Sequence, residues 1–195
     1  MYGIYDGNNL IATFVSPTTV LSNSPSFVTD SMSLKRSVSK RPAQRWEITT
    51  QLKPQYTDAN DIFVMLVTKG LTETIAVSIP QNPGAKKNRT GNGSVVGSGS
   101  INSSTVRLVS ENVIPKGTFI KFANHDKVYL TTSARDVSGY CTIFPALISA
   151  VVNQAVTWKD DVKMKAYFDD TTITGMVFDN GVLINNGEIK MVEAL

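Results

Sequence analysis

The chain holds a single histidine and a single cysteine, which narrows the chemistry open to it. His125 stands in Asn124-His125-Asp126-Lys127, which has the composition of a turn between strands. A lone histidine cannot supply a two-histidine metal pair, and a catalytic triad needs it beside Ser or Cys and an acid. Cys141 lies inside the apolar run Tyr140–Phe144, where a free cysteine behaves as a small buried hydrophobe. A His125–Cys141 base and nucleophile pair is the sharper alternative. One thiol excludes a disulfide framework and a multi-cysteine zinc site.

The paired carboxylates Asp160-Asp161 and Asp169-Asp170 invite a cation-site reading. Adjacent strand residues point to opposite faces, so each pair converges only within a turn, and solvated turns are the plainer reading. Gly91-x-Gly93 and Gly97-x-Gly99 are not phosphate loops, because no helix pattern and no Gly-Lys-Ser/Thr ending follows. Asn88, Asn92 and Asn102 head formal glycosylation sequons within a stretch that produces such triplets by composition alone. Phe119, Phe122, Tyr129, Tyr140 and Phe144 are placed to stack bases or to pack a core. No catalytic residue, metal ligand or cofactor is expected from these patterns.

The elements that carry these residues read as mainly β. The clearest is Arg41–Pro54. Trp46, Ile48, Thr50 and Leu52 fall on one face and Arg45, Glu47, Thr49 and Gln51 on the other, bracketed by Pro42 and Pro54. Residues 1–30 read as one or two short strands. A helix is predicted over 57–69, capped by Thr57 or Asp58 and stopped by Gly70, with Ala59, Ile62, Phe63 and Leu66 on its apolar face. Thr72–Ile79 alternates as a strand. Residues 84–104 are Gly/Ser/Asn-rich and read as a boundary followed by a loop or weak hairpin. Short strands resume from Thr105 at spacings that suggest a small barrel or sandwich, OB-like if about five strands close it. Pro145–Val156 reads as a connection with a short helix. The tail ends in hairpins, with Asn180-Gly181 suited to a type I′ turn.

Charge is uneven along the chain. Residues 81–158 hold eight Lys/Arg against three Asp/Glu, whereas 159–195 hold four against seven. A basic middle segment suits a solvated face or a polyanion contact. No apolar run reaches membrane-span length, and the first residues lack the basic and apolar regions of a secretory signal.

Three regions carry a family resemblance. They are the basic residues leading into the Trp46 strand with Leu52-Lys53-Pro54 and the capped helix; Gly117–Phe122 followed by His125–Thr132; and the closing hairpin with its Asn-Gly turns. This layout resembles the distal tail (Dit) proteins of long-tailed bacteriophages, in the branch with an inserted OB-like domain. The resemblance implies a ring-forming β-sandwich domain with one helix from residues 1–80 and 159–195, and a peripheral OB-like β-barrel from 81–158. It implies a homo-hexameric ring in the virion tail, assembled in the host cytoplasm. Such a ring joins the tail tube to the baseplate hub or tip, supports receptor-binding or fibre proteins, and lets DNA pass through its lumen. No enzyme activity and no cofactor follow from it. Arg41, Arg45, Trp46 and Glu47 become candidates for the subunit interface. The alternative is an OB-type module that binds single-stranded nucleic acid or carbohydrate.

Overall fold

The computed structural model describes residues 2–7, 9–24, 26–30, 36–40, 44–53, 62, 64–65, 68, 72–81, 95–110, 113–159, 162–169, 177–180, 182–185 and 188–195. Sixteen strands run in chain order: β1 Gly3–Asp6, β2 Asn9–Asn23, β3 Ser26–Asp30, β4 Arg36–Lys40, β5 Arg45–Leu52, β6 Ile75–Ser78, β7 Val96–Gly99, β8 Thr105–Val109, β9 Phe119–Phe122, β10 Val128–Thr131, β11 Tyr140–Phe144, β12 Val151–Thr157, β13 Lys163–Phe168, β14 Val177–Asp179, β15 Val182–Asn185 and β16 Ile189–Glu193.

Twelve of these strands make two closed antiparallel barrels. The first runs β1-β2-β5-β16-β13-β6 and back to β1. The second is built from the strands between β6 and β13, in the order β12-β7-β8-β11-β10-β9. The two cyclic orders coincide once β12 is counted as the first strand of its barrel. In neighbour order, each barrel is therefore a circular permutation of the other.

A sandwich was the expectation for the first unit, and the structure replaces it with a barrel. Two packed sheets would leave edge strands, but β6 pairs with both β1 and β13, so every strand has two neighbours. Closure removes the unpaired edges that an open sheet must protect.

Alternation fills both interiors. On β5, Trp46, Ile48, Thr50 and Leu52 are buried while Arg45 and Gln51 are exposed. Trp46, Ile48 and Leu52 join Ile4, Val77, Met164, Phe168, Ile189 and Met191 in the first core. Ile62 and Met65, from residues in helical conformation, cover that core as well. The expected cap and the face residues Ala59, Phe63 and Leu66 lie outside the described residues. The second core gathers Val106, Leu108, Ile120, Phe122, Tyr129, Ile143 and Trp158.

Three local expectations change. β2 is one 15-residue strand, and Pro17 is accommodated at a register shift between Val15 and Thr19. The Gly/Ser-rich stretch yields β7, whose glycines are packing residues. A Cβ at Gly97 would collide with the Phe122 ring, and one at Gly99 would lie 2.7 Å from Leu147 Cδ1. The run after Pro145 forms β12, with Asn153 at positive φ where the register shifts. Asn180, after β14, has φ 52°, the positive φ that a type I′ turn asks of its first central residue. None of the described helical residues forms a helix long and apolar enough to cross a membrane.

Candidate functional site at the seam between the barrels

Trp46, the second residue of β5, has its ring turned into the space between the barrels. Its Nε1–H donates to Val128 O at 2.8 Å, and its ring meets Phe119 edge-on at 5.1 Å and Phe144 at 6.2 Å. The strand on which the sequence reading rests is thus the first barrel's anchor on the second.

Beside Trp46 lies a buried ion pair. Lys127, in the turn before β10, contacts Glu193 at the end of β16, and both side chains are fully buried. Lys127 Nζ also donates to Gln44 O at 2.8 Å and Gln44 Oε1 at 2.7 Å. Glu193 accepts from the backbone N–H of Val128 at 2.9 Å and of Trp46 at 3.1 Å. The ammonium therefore has three acceptors, and the carboxylate has donors from both barrels. A buried charge persists only with this degree of satisfaction. Burial pushes the Lys127 pKa down, and Glu193 beside it pulls the other way without cancelling that effect.

Gln81 makes the equivalent bridge further along. Its Oε1 accepts from Phe119 N–H at 3.1 Å, its Nε2 donates to Phe119 O and Lys159 O at 3.2 Å each, and its own N–H donates to Tyr2 Oη. At the outer edge, Asp126 is held by Lys121 of the second barrel at 2.9 Å and by Lys165 of the first at 2.7 Å. Those lysines keep the Asp126 pKa below its ordinary value although burial acts to raise it.

The residues singled out from sequence scatter around this seam. Trp46 and Glu47 are buried within the chain. Glu47 accepts from Asn23 Nδ2 at 2.6 Å and pairs with Lys190 at 3.2 Å. Arg45 is exposed, and Arg41 lies outside the described residues. His125 packs against Phe122 and Tyr129, and its pKa is lowered by burial and then by Lys121. Cys141 is buried, with Arg135 and Asp136 as its charged neighbours, and its thiol is pushed up to about 11 by burial. Among the described residues His125 Nδ1 has no hydrogen-bond partner and its Nε2 lies 3.4 Å from Tyr129 Oη, so neither nitrogen is bonded to the Cys141 thiol. Asp169 pairs with Lys190 at 3.0 Å, while Asp160, Asp161 and Asp170 lie outside the described residues. Among the described residues, no cluster of His, Cys, Asp and Glu is arranged to hold a metal.

Of the five aromatic residues, Phe119, Phe122 and Tyr129 are core residues, whereas Tyr140 and Phe144 are exposed on β11. The seam residues that sequence reasoning missed are Gln44, Gln81, Lys127 and Glu193. Only Glu193 carried a signal, because it continues the buried alternation of Ile189 and Met191. No protein-family model matches the sequence, and no curated protein matches it.

Proposed function

We propose that this chain is a structural protein of a phage tail, a distal tail ring subunit. The observation that carries the reading is the pair of strands β3 and β4. They hydrogen-bond to each other over five residue pairs and form a separate two-stranded sheet. It continues the β2–β5 pairing past Asn23 and Arg45 without joining either barrel sheet, and a two-stranded ribbon is at best marginally stable in water, so a contact with the next subunit stabilises this arm. The strands β14 and β15 form a second such hairpin. Two arms on a rigid two-barrel body suit the head-to-tail contacts that close a ring. The seam supplies the rigidity, because buried and mutually satisfied polar groups resist sliding.

On this reading residues 1–80 and 159–195 form the ring domain, and 81–158 form the OB-like peripheral domain. Six copies join the tail tube to the baseplate hub or tip and carry receptor-binding or fibre proteins, with DNA crossing the lumen. Arg41, which follows β4 in the sequence, and Arg45, the first residue of β5, contact the next subunit. Trp46 and Glu47 act there by holding β5 in place. The ring is a part of the virion tail and performs no catalysis. Replacing residues 26–40 by a short Gly/Ser link tests the arm. The expected result is folded monomer with native circular dichroism in place of rings. A variant that still forms rings refutes the role of the arm.

The second reading is an OB-type module for single-stranded nucleic acid or carbohydrate. Its support is the exposure of Tyr140 and Phe144 on one face of β11. A gel shift with oligothymidylate that weakens steeply with salt would favour it.

A further inference from the structure

Two lysines, one from each barrel, hold one carboxylate at the outer edge of the seam, and a third lines the same cleft. Lys121 and Lys165 hold the two oxygens of Asp126. Lys163 lies two residues before Lys165 on β13, and so shares its face. Its Nζ sits 4.0 Å over the Tyr5 ring and makes one long contact, 3.5 Å, to Gly7 O. Among the described residues, Lys121 Nζ reaches, besides Asp126, only Lys163 O at 3.4 Å. An ammonium has three N–H groups, so Lys121 and Lys163 keep donors for a ligand.

A cleft of about 220 Å³ opens beside these groups, lined by Lys121, Phe122, Ala123, Asp126, Thr157 and Lys163. This is below the ~300–1,000 Å³ typical of sites for drug-sized molecules, so a small ion fits it and a cofactor does not. Among the described residues the cleft is lined by two ammonium groups and one carboxylate, and Lys165 pairs with that carboxylate from outside the lining. With Lys165 counted against Asp126, the two lining lysines leave positive charge for a phosphate group, which carries about one to two negative charges near neutrality. Asp126 already shows that an oxyanion is held between lysines here. Thr157 adds a hydroxyl to the wall.

We propose that this cleft binds a phosphate group, through Lys121 and Lys163, with Asp126 as an internal competitor. The competitor gives the proposal an unusual sign. Removing a positive charge weakens binding, and removing the negative one strengthens it. The test is isothermal titration of inorganic phosphate into the full chain at constant ionic strength, with sodium chloride as the control titrant. A parallel titration uses a short oligothymidylate. Lys163→Gln, at a group outside both cores, is expected to weaken binding roughly three- to fivefold, and Asp126→Asn to tighten it by a similar factor. Oligothymidylate binding with the same dependence on the two variants identifies a phosphodiester as the source, and phosphate binding alone identifies the free ion. Either result supports the site. Absence of saturable phosphate binding beyond the chloride control overturns it. Affinities that Lys163→Gln and Asp126→Asn leave unchanged also overturn it, because they mean an adventitious ion only.

Discussion

Lys127→Met is the sharpest probe of the seam. The substitution keeps a long, unbranched side chain, so the cavity term is small. It removes the ion pair to Glu193 and the two hydrogen bonds to Gln44. Glu193 keeps its backbone donors from Trp46 and Val128 but loses the ammonium paired with it. Breaking a buried pair from one side costs about 3–5 kcal/mol, chiefly because a charge is left buried and uncompensated. For a chain of this length that is a fall in melting temperature of roughly 6–20 °C. Glu193→Gln should cost a similar amount. The double variant leaves no lone charge, so its loss should fall short of the sum by about 2 kcal/mol. Urea unfolding followed by tryptophan fluorescence reads all three, since Trp46 lies at the seam and Trp158 in the second core. A Lys127→Met loss under about 1 kcal/mol, or strictly additive variants, would refute the view that this pair locks the barrels together.

Two further outcomes follow from the barrels themselves. Gly97→Ala forces a methyl group into the Phe122 ring and against Val156, so it should destabilise by about 1–3 kcal/mol, measured by the same unfolding curves. Unchanged stability would show that β7 does not pack as described. The buried Cys141 thiol should resist an aromatic disulfide reagent at pH 8 and react once the chain is unfolded in urea. Its folded pKa of about 11 lies above the ordinary 9.0. The native state therefore holds the proton more tightly, and its contribution to stability is full below pH 9 and lost as pH rises through 11. A native thiol that reacts like a free one would contradict its burial.

Local patterning made much of the fold legible. The faces of β5 follow the alternation of Trp46, Ile48, Thr50 and Leu52, and the Asn180-Gly181 hairpin follows from turn chemistry. Closure was not legible, because a sandwich strand and a barrel strand share the same two-residue period. What separates them is the partner of each strand, such as β6 with β1, some 70 positions apart. The glycines of β7 looked like loop composition, since their reason is Phe122 and Leu147, which arrive later in the chain. The seam was hidden for the same cause. Lys127 reads as an ordinary turn residue, and Gln44 as part of the Arg41–Pro54 strand stretch, until the second barrel docks. By its phase on β5 Glu47 falls on the face opposite Trp46, yet Asn23 and Lys190 cover it.

Native mass spectrometry of the purified full chain tests the ring most directly. The distal-tail account predicts a dominant species of six times the 21.2 kDa chain mass, stable to dilution and seen as six-fold rings by negative-stain microscopy. Monomer alone across the micromolar range, with no ring at any concentration, would contradict it.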